Sequence, residues 1–409
     1  MVESFKNSLD VFKEAPRHPI HSFHRYFGKL IPGIPAFAIE SFTKPGDIVL
    51  DPFCGSGTSV VEARERGRNS IGIDLNPLAT FVGRVKTTPI PSEILQESLE
   101  TIMSDFNDFS ISEKPQDPYV VNLDHWFRPE VKSDLLKLRH SINSVQDVKV
   151  KNFFLGVFSA FLRGVSNADP RHVFPGYSKR MRALDAAGRS IDVEASFKRA
   201  ARKRLIQVSK LDQNNASVTL HTGSLAESGI DDNQVDLVVT NPPYISSIRY
   251  LETMKIEMGW LGFLHSQKDY LDLDKRVVGT ERFYKSDLEE IEETGFEPID
   301  RQVNALKPIN PKMAKTVAKY FVDMNSVFKR LSTAVKSGGY LVIKISDSKV
   351  RNDVIATHKH FISICEGLGF ELLEDLIDEF DPNSRSLLTA RNTYSGIMTF
   401  DHVLVFRKK

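Results

Sequence analysis

The chain has 409 residues, 41% hydrophobic and 26% charged, with a formal net charge of +1 at pH 7. Its length exceeds that of one compact sheet domain and predicts a main domain with insertions, and its balanced charge excludes a chain that is basic throughout. The longest apolar run, residues 153–162, is half what a bilayer crossing needs. Residues 1–16 lack an apolar signal core, so a cytoplasmic protein is expected.

In chain order, residues 47–51 (DIVLD) predict a short buried strand, followed by a glycine-bearing turn at 54–58 and a helix over 59–66. Residues 69–74 (NSIGID) predict the next strand, which makes a parallel strand–turn–helix–strand unit. The alternation then gives way to helical spacing over 92–109, 129–142, 150–165 and 197–211. A polar stretch at 166–191 is expected to be a long loop, and such loops are often functional. From Arg171 to Lys210 stand eleven Lys or Arg against three acids, a local basic segment suited either to a polyanion or to a solvated helix surface. Strands resume at 216–221 and 235–240, and residues 267–312 read as irregular. A helix at 314–335, a strand at 340–346, a helix at 354–368 and strands at 370–376 and 402–406 close the chain. The pattern predicts an α/β doubly wound sheet interrupted by a helical insertion. The expected divisions are 1–90, 91–215 (the mostly helical insertion), 216–265, 266–313 (a second, irregular insertion) and 314–409.

Two motifs carry chemistry. DPFCGSGT (51–58) lies between a strand and a helix, where its glycines let the backbone approach a ligand beside unpaired N–H groups. Val60 stands where a dinucleotide fingerprint needs a third glycine, so a nicotinamide dinucleotide is not expected. Asp74, at the end of the following strand, is placed to accept bonds from ribose hydroxyls. NPPY (241–244) follows a buried strand at the carboxyl edge of the sheet. Its prolines fix the backbone and remove two N–H donors. The Asn241 side-chain oxygen and the Pro242 carbonyl can then accept both hydrogens of an amino group, baring a lone pair that a ring would delocalise, while Tyr244 can stack on that ring. Each motif alone also fits a purely structural turn. His18, His21 and His24 form an H-x2-H-x2-H pattern, but no cysteine or fourth ligand accompanies them, and no metal is expected. Cys54 and Cys365 make neither a disulfide framework nor a zinc site. Trp126 and Phe127 are expected in the core.

DPFCGSGT, IGIDLNP (71–77) and VTNPPY (239–244) together resemble the DNA amino-methyltransferases that modify adenine N6 or cytosine N4. HRYFGKLIPGIPAF (24–37) resembles the family's cofactor-side segment, HTGS (221–224) its short motif after the third strand, and SGGYLVIKISDS and DHVLVFRKK its later strands. The resemblance covers about 1–90, 216–260 and 315–409, and the insertion matches no motif. It implies a Rossmann-like methyltransferase sheet with S-adenosyl-L-methionine as cofactor. It implies His24, Lys29, Asp51, Phe53, Gly55, Gly57, Thr58, Asp74 and Ser224 around that cofactor, and Asn241, Pro242, Pro243 and Tyr244 as the catalytic loop. Base flipping in double-stranded DNA would follow. Arg171, His172, Lys179, Arg180, Arg182 and Arg249 are the candidate nucleic-acid contacts, and the two insertions the candidate recognition elements. The surrounding 238–262 resembles members with Ser at position 241, which are linked with cytosine, but Asn241 itself is linked with adenine, and because the residue at the amine outweighs its surroundings, adenine N6 is slightly favoured over cytosine N4. A restriction or defence component is a possible companion. The rival readings are an RNA base amino-methyltransferase, such as one acting on tRNA guanine N2, and a non-catalytic nucleic-acid-binding subunit of the same fold.

Overall fold

The apolar runs between turns become the strands of one seven-stranded sheet. In the computed structural model, residues 2–109, 116–245, 249–284, 286–350, 353–379 and 400–409 are described. The strands are β1 (Ile48–Asp51), β2 (Asn69–Asp74), β3 (Val218–Thr222), β4 (Val235–Thr240), β5 (Val335–Ile345), β6 (Phe370–Glu379) and β7 (Phe400–Lys408). Their order is β3-β2-β1-β4-β5-β7-β6. All neighbours pair in parallel except β7, which runs antiparallel to both β5 and β6.

The two-residue period of a strand sends alternate side chains to opposite faces. Val49, Leu237, Val239, Val342, Val403 and Val405 pack with Phe37 and Ile39 on one face. Leu50, Val238, Leu341, Ile343, Leu404 and Phe406 pack on the other, under Phe321 and Phe328 of the helix Pro311–Ala334. A sheet covered on both faces needs continuously apolar strands, which is why the central strands read as unbroken runs. The N-terminal helix Val2–Glu14, which composition did not suggest, packs Phe5 and Phe12 against Phe37.

Between β2 and β3 the chain forms the four predicted helices, now bounded as Ser92–Asp108, Pro129–Asn143, Val148–Val165 and Val193–Val208, and before them Pro77–Lys86, which was not predicted. The expected loop at 166–191 is shorter than predicted, because Lys179–Ala186 is helical and Ser178 caps its first turn by accepting from the Met181 N–H. Likewise 266–313 contains the helices Gln267–Lys275 and Glu297–Leu306, whose short lengths hid them. The insertion has its own aromatic core of Phe153, Phe154, Phe158, Phe161 and Phe197, and Trp126 and Phe127 belong to it as expected. That core also takes in Leu251, Met254, Ile256, Met258, Trp260 and Leu264, so the chain just past the NPPY loop is packed into the insertion rather than onto the sheet. Trp260, fully buried, meets Phe127 and Phe158 edge-on.

The strand order reverses between β1 and β4, whose next strands lie on opposite sides. At such a switch point the carboxyl ends of adjacent strands diverge and leave a crevice. Asp51 ends β1 and Thr240 ends β4, so the two motifs of the sequence flank that crevice.

Candidate active site

A cavity of about 1060 Å³, its open mouth included, occupies the crevice and is lined mostly by apolar surface. Of the residues the resemblance places at a cofactor, Lys29, Asp51, Phe53, Gly55, Thr58, Asp74 and Ser224 line it, and Asn241 and Pro243 of the NPPY loop line the same space. His24 and Gly57 do not.

The motif acids hold the backbone that forms the wall. Asp51 is buried and accepts from the Ser59 hydroxyl (2.6 Å), the Thr240 hydroxyl (2.8 Å) and the Phe53 N–H (3.1 Å), joining β1, β4 and the following helix. Asp74 Oδ2 accepts from the Gly55 N–H (2.8 Å), and its Oδ1 from the Asn76 N–H (2.8 Å). Burial pushes both carboxyls up to about 6, against the pull of these hydrogen bonds. Each Asp74 oxygen retains a lone pair for a ligand hydroxyl. Gly55 and Gly57 are left-handed, at φ +49° and +78°. A Cβ on Gly57 would meet Gly83 Cα at 3.0 Å, so this glycine lets the turn lie against the helix Pro77–Lys86 rather than touching the cavity. Fully buried Lys86 donates to the Ser56 carbonyl (2.7 Å) from beneath the turn.

The 24–37 segment closes the cavity with Tyr26, Gly28, Lys29 and Leu30. Lys29 Nζ donates to the carbonyls of His21 (2.8 Å) and His24 (2.6 Å), and burial lowers its pKa to about 8. The His24 ring is turned away. Its Nδ1 donates to the Arg25 carbonyl (2.7 Å), so its Nε2 accepts from the Ser159 hydroxyl (2.9 Å). Burial lowers its pKa to about 3, so it is a neutral link to the insertion, and its ring lies outside the lining where the resemblance would place it. The His18, His21 and His24 rings do not converge on a metal. His18 Nε2 bonds the Lys210 carbonyl, and His21 Nε2 pairs with Glu62.

Asn241 bridges the halves: its Nδ2 donates to the Gly28 carbonyl (3.2 Å), and its Oδ1 accepts from the Tyr244 hydroxyl (2.9 Å). Pro242 is buried. Tyr244 lines not the first cavity but a second, polar one of about 1090 Å³, together with Arg249, Asp274, Arg282 and Lys312. The two cavities share Pro243, Tyr250, Leu251, Val277 and Val278 as a common wall. Sequence reasoning missed Tyr26, Asn76 and Arg276 in the first lining, which Tyr250 also joins. Gly28, at φ +71°, marks Tyr250, since a Cβ there would lie 2.9 Å from that ring, but only the fold brings the two together. Ser224 gives its hydroxyl to Glu227 (2.9 Å), which pairs with Arg276 (2.6 Å).

The candidate nucleic-acid contacts gather less tightly. Asp169, completely buried, accepts from Arg171, from Arg180 (3.0 Å) and from Ser178 (2.7 Å), and His172 lies 4.0 Å away. The Arg180 guanidinium, then Arg171 and Ser178, hold the Asp169 carboxyl far below the usual carboxylate range. Arg25 donates to the Pro170 and His172 carbonyls, docking this loop beside the 24–37 segment. Arg249 is exposed, pairs with Glu252 (2.9 Å) and stacks over Phe174 of the loop (5.7 Å). Lys179 and Arg182 are exposed, and Arg182 lies 5.4 Å over the Tyr177 ring. The loop therefore reaches the edge of the second cavity.

A DNA methylase family model matches residues 16–79, the segment and glycine turn just described. The chain is 28% identical over 362 residues to the type II methyltransferase M.MvaI of Kocuria varians, covering 82% of this chain and 79% of that one. It is 24% identical to M.BsoBI of Geobacillus stearothermophilus, over 90% of this chain and 82% of that protein. The chain resembles the DNA amino-methyltransferases. A solved SAM-dependent methyltransferase from Methanosarcina mazei overlays loosely, at a TM-score of 0.33 and 10% identity, over 90% of this chain and 96% of that one.

Proposed function

We propose that this chain is a DNA methyltransferase that transfers a methyl group from S-adenosyl-L-methionine to an exocyclic base amine, adenine N6 or cytosine N4. The observation that carries the reading is that Asn241 and Pro243 line one cavity with the glycine turn and Asp74. When bound, S-adenosyl-L-methionine supplies a methyl group on a sulfonium. The chain's residues fit it: a left-handed Gly55 whose added Cβ would crowd Tyr26 at 3.0 Å, and the Asp74 carboxylate at the strand end.

Asn241 Oδ1 and the Pro242 carbonyl accept the two amine hydrogens, which holds the nitrogen lone pair toward the first cavity. The Tyr244 hydroxyl on Asn241 Oδ1 and the Gly28 carbonyl on its Nδ2 fix which amide atom faces the amine. Tyr244 stacks on the base from the second cavity. The mostly apolar lining keeps out the water that would compete for the amine. A base reaches so recessed an amine pocket only outside the helical stack, so the base flips. The Asp169-centred loop and Arg249 hold the DNA backbone at the mouth. As a companion of a restriction nuclease, the enzyme would protect its own DNA. Among the described residues no helix is long and apolar enough to cross a membrane.

Labelled S-adenosyl-L-methionine offered to unmodified duplex DNA and to bulk tRNA, followed by nucleoside separation, tests this. The expected product is N6-methyladenine or N4-methylcytosine, which names the base, with label strongly reduced for Asn241→Ala. Label confined to RNA would move the substrate class. No label in either would leave a binding subunit.

A further inference from the structure

Away from both cavities, four titratable side chains from four elements meet at the antiparallel edge of the sheet. Asp347 follows β5, His358 opens the helix Thr357–Gly367, Asp375 lies on β6 and His402 on β7. His402 pairs with Ile345 across β5 and β7, which sets it beside the end of β5. The two imidazoles stack nearly parallel, with centroids 3.7 Å apart and planes 8° apart. His358 Nδ1 lies 2.7 Å from Asp347 Oδ1, and His402 Nδ1 lies 2.8 Å from Asp375 Oδ1. One ligand atom from each of Asp347, His358 and His402 lies within 4.8 Å of the others.

The side chain of His402 is 6% exposed, and its Nε2 is buried without a hydrogen-bond partner among the described residues. Asp375 as acceptor puts the proton on Nδ1, so Nε2 carries a buried lone pair with nothing to receive it. A cation shared with the adjacent His358–Asp347 pair would give His402 Nε2 the partner it lacks. Carboxylate–histidine–metal is the usual way a ligating imidazole is oriented.

We propose that Asp347, His358 and His402 form a binding site for a divalent transition-metal ion of the zinc type, with Asp375 orienting His402. Two imidazoles and one carboxylate suit zinc and its neighbours, and not calcium or magnesium, which call for oxygen ligands. Metal–nitrogen bonds of about 2.0–2.1 Å lie in the imidazole plane, so on binding the two rings turn out of their parallel stack until a nitrogen of each faces the ion. A fourth position remains for water. The ion clamps β5, β7 and the helix Thr357–Gly367 together and takes no part in methyl transfer.

The test is calorimetric titration of the EDTA-stripped full chain with zinc chloride, and with magnesium chloride as the contrast. The proposal expects one zinc bound per chain and no magnesium heat at this site. Binding should be lost in His402→Gln and in His358→Asn, and weakened about 10–100-fold in Asp375→Asn. Each variant should keep the wild-type unfolding temperature in EDTA and its affinity for S-adenosyl-L-methionine. Should a variant fail to fold, cobalt(II) with the wild-type protein decides: visible tetrahedral absorption bands support the site. No zinc binding by the wild type, zinc binding unchanged in the folded variants, or cobalt without such bands would each overturn it.

Discussion

The crevice edge and the helical insertion use charge in opposite ways. At the edge, the buried Asp51 and the partly buried Asp74 accept only from backbone and hydroxyl donors, with no cation bonded to either among the described residues. They fix the wall and keep lone pairs for a ligand. In the insertion, the buried Asp169 takes two arginines and holds a loop whose other cations, such as Lys179 and Arg182, face solvent. A buried carboxylate therefore serves as a clamp in both regions, but at the edge it braces a pocket, and in the insertion it presents positive charge. Trp260, packed against Phe158, ties the chain just past the NPPY loop into the insertion.

The largest effect expected comes from breaking that joint. Phe158→Ala removes a fully buried ring and should cost about 3–5 kcal/mol in urea unfolding. If the cost were small, the insertion core would not be coupled to the chain just past the NPPY loop.

Next is Asp169→Ala, which frees Arg171 and Arg180. Each released side chain must be reordered on binding, so DNA affinity should fall roughly tenfold, with the affinity for S-adenosyl-L-methionine unchanged. Equal losses of both, read by fluorescence anisotropy and by calorimetry, would show that the loop supports the pocket rather than the DNA.

The smallest effect sharpens the edge side. Asp74 is raised to about 6, and a ligand hydroxyl donating to it favours its ionised form. Affinity for S-adenosyl-L-methionine should be flat above that value and decline with falling pH below it, by at most about tenfold per pH unit. The same raised pKa acts oppositely on stability. The folded state holds this proton more tightly than the unfolded chain, so its contribution to stability is present at low pH and lost as pH rises through about 6. Asp74→Asn should flatten the part of the binding profile that this carboxyl contributes.

Much of the edge was legible in the sequence because its requirements are local. A glycine turn between apolar runs, an acid at the end of the next strand and two prolines after a third each speak within a few residues. What was not legible depended on distant contacts. His24 sits in a segment that does line the cavity, yet its ring is claimed by Ser159. Tyr250 enters the cavity because the insertion core holds Leu251 and Trp260 in place. The helix Lys179–Ala186 hid because only Met181 among its residues is buried, which leaves no apolar stripe to read. The 380–399 stretch lies outside the described residues.

The central claim is that one cavity at the switch point holds the methyl donor and the amine acceptor, with separate residues serving each. The most direct measurement pairs the dissociation constant of S-adenosyl-L-methionine with the single-turnover methyl-transfer rate on duplex DNA for wild type and Asn241→Ala. The account predicts an unchanged dissociation constant and a rate lower by about 10²–10³-fold. A variant that transfers methyl groups at the wild-type rate would contradict it.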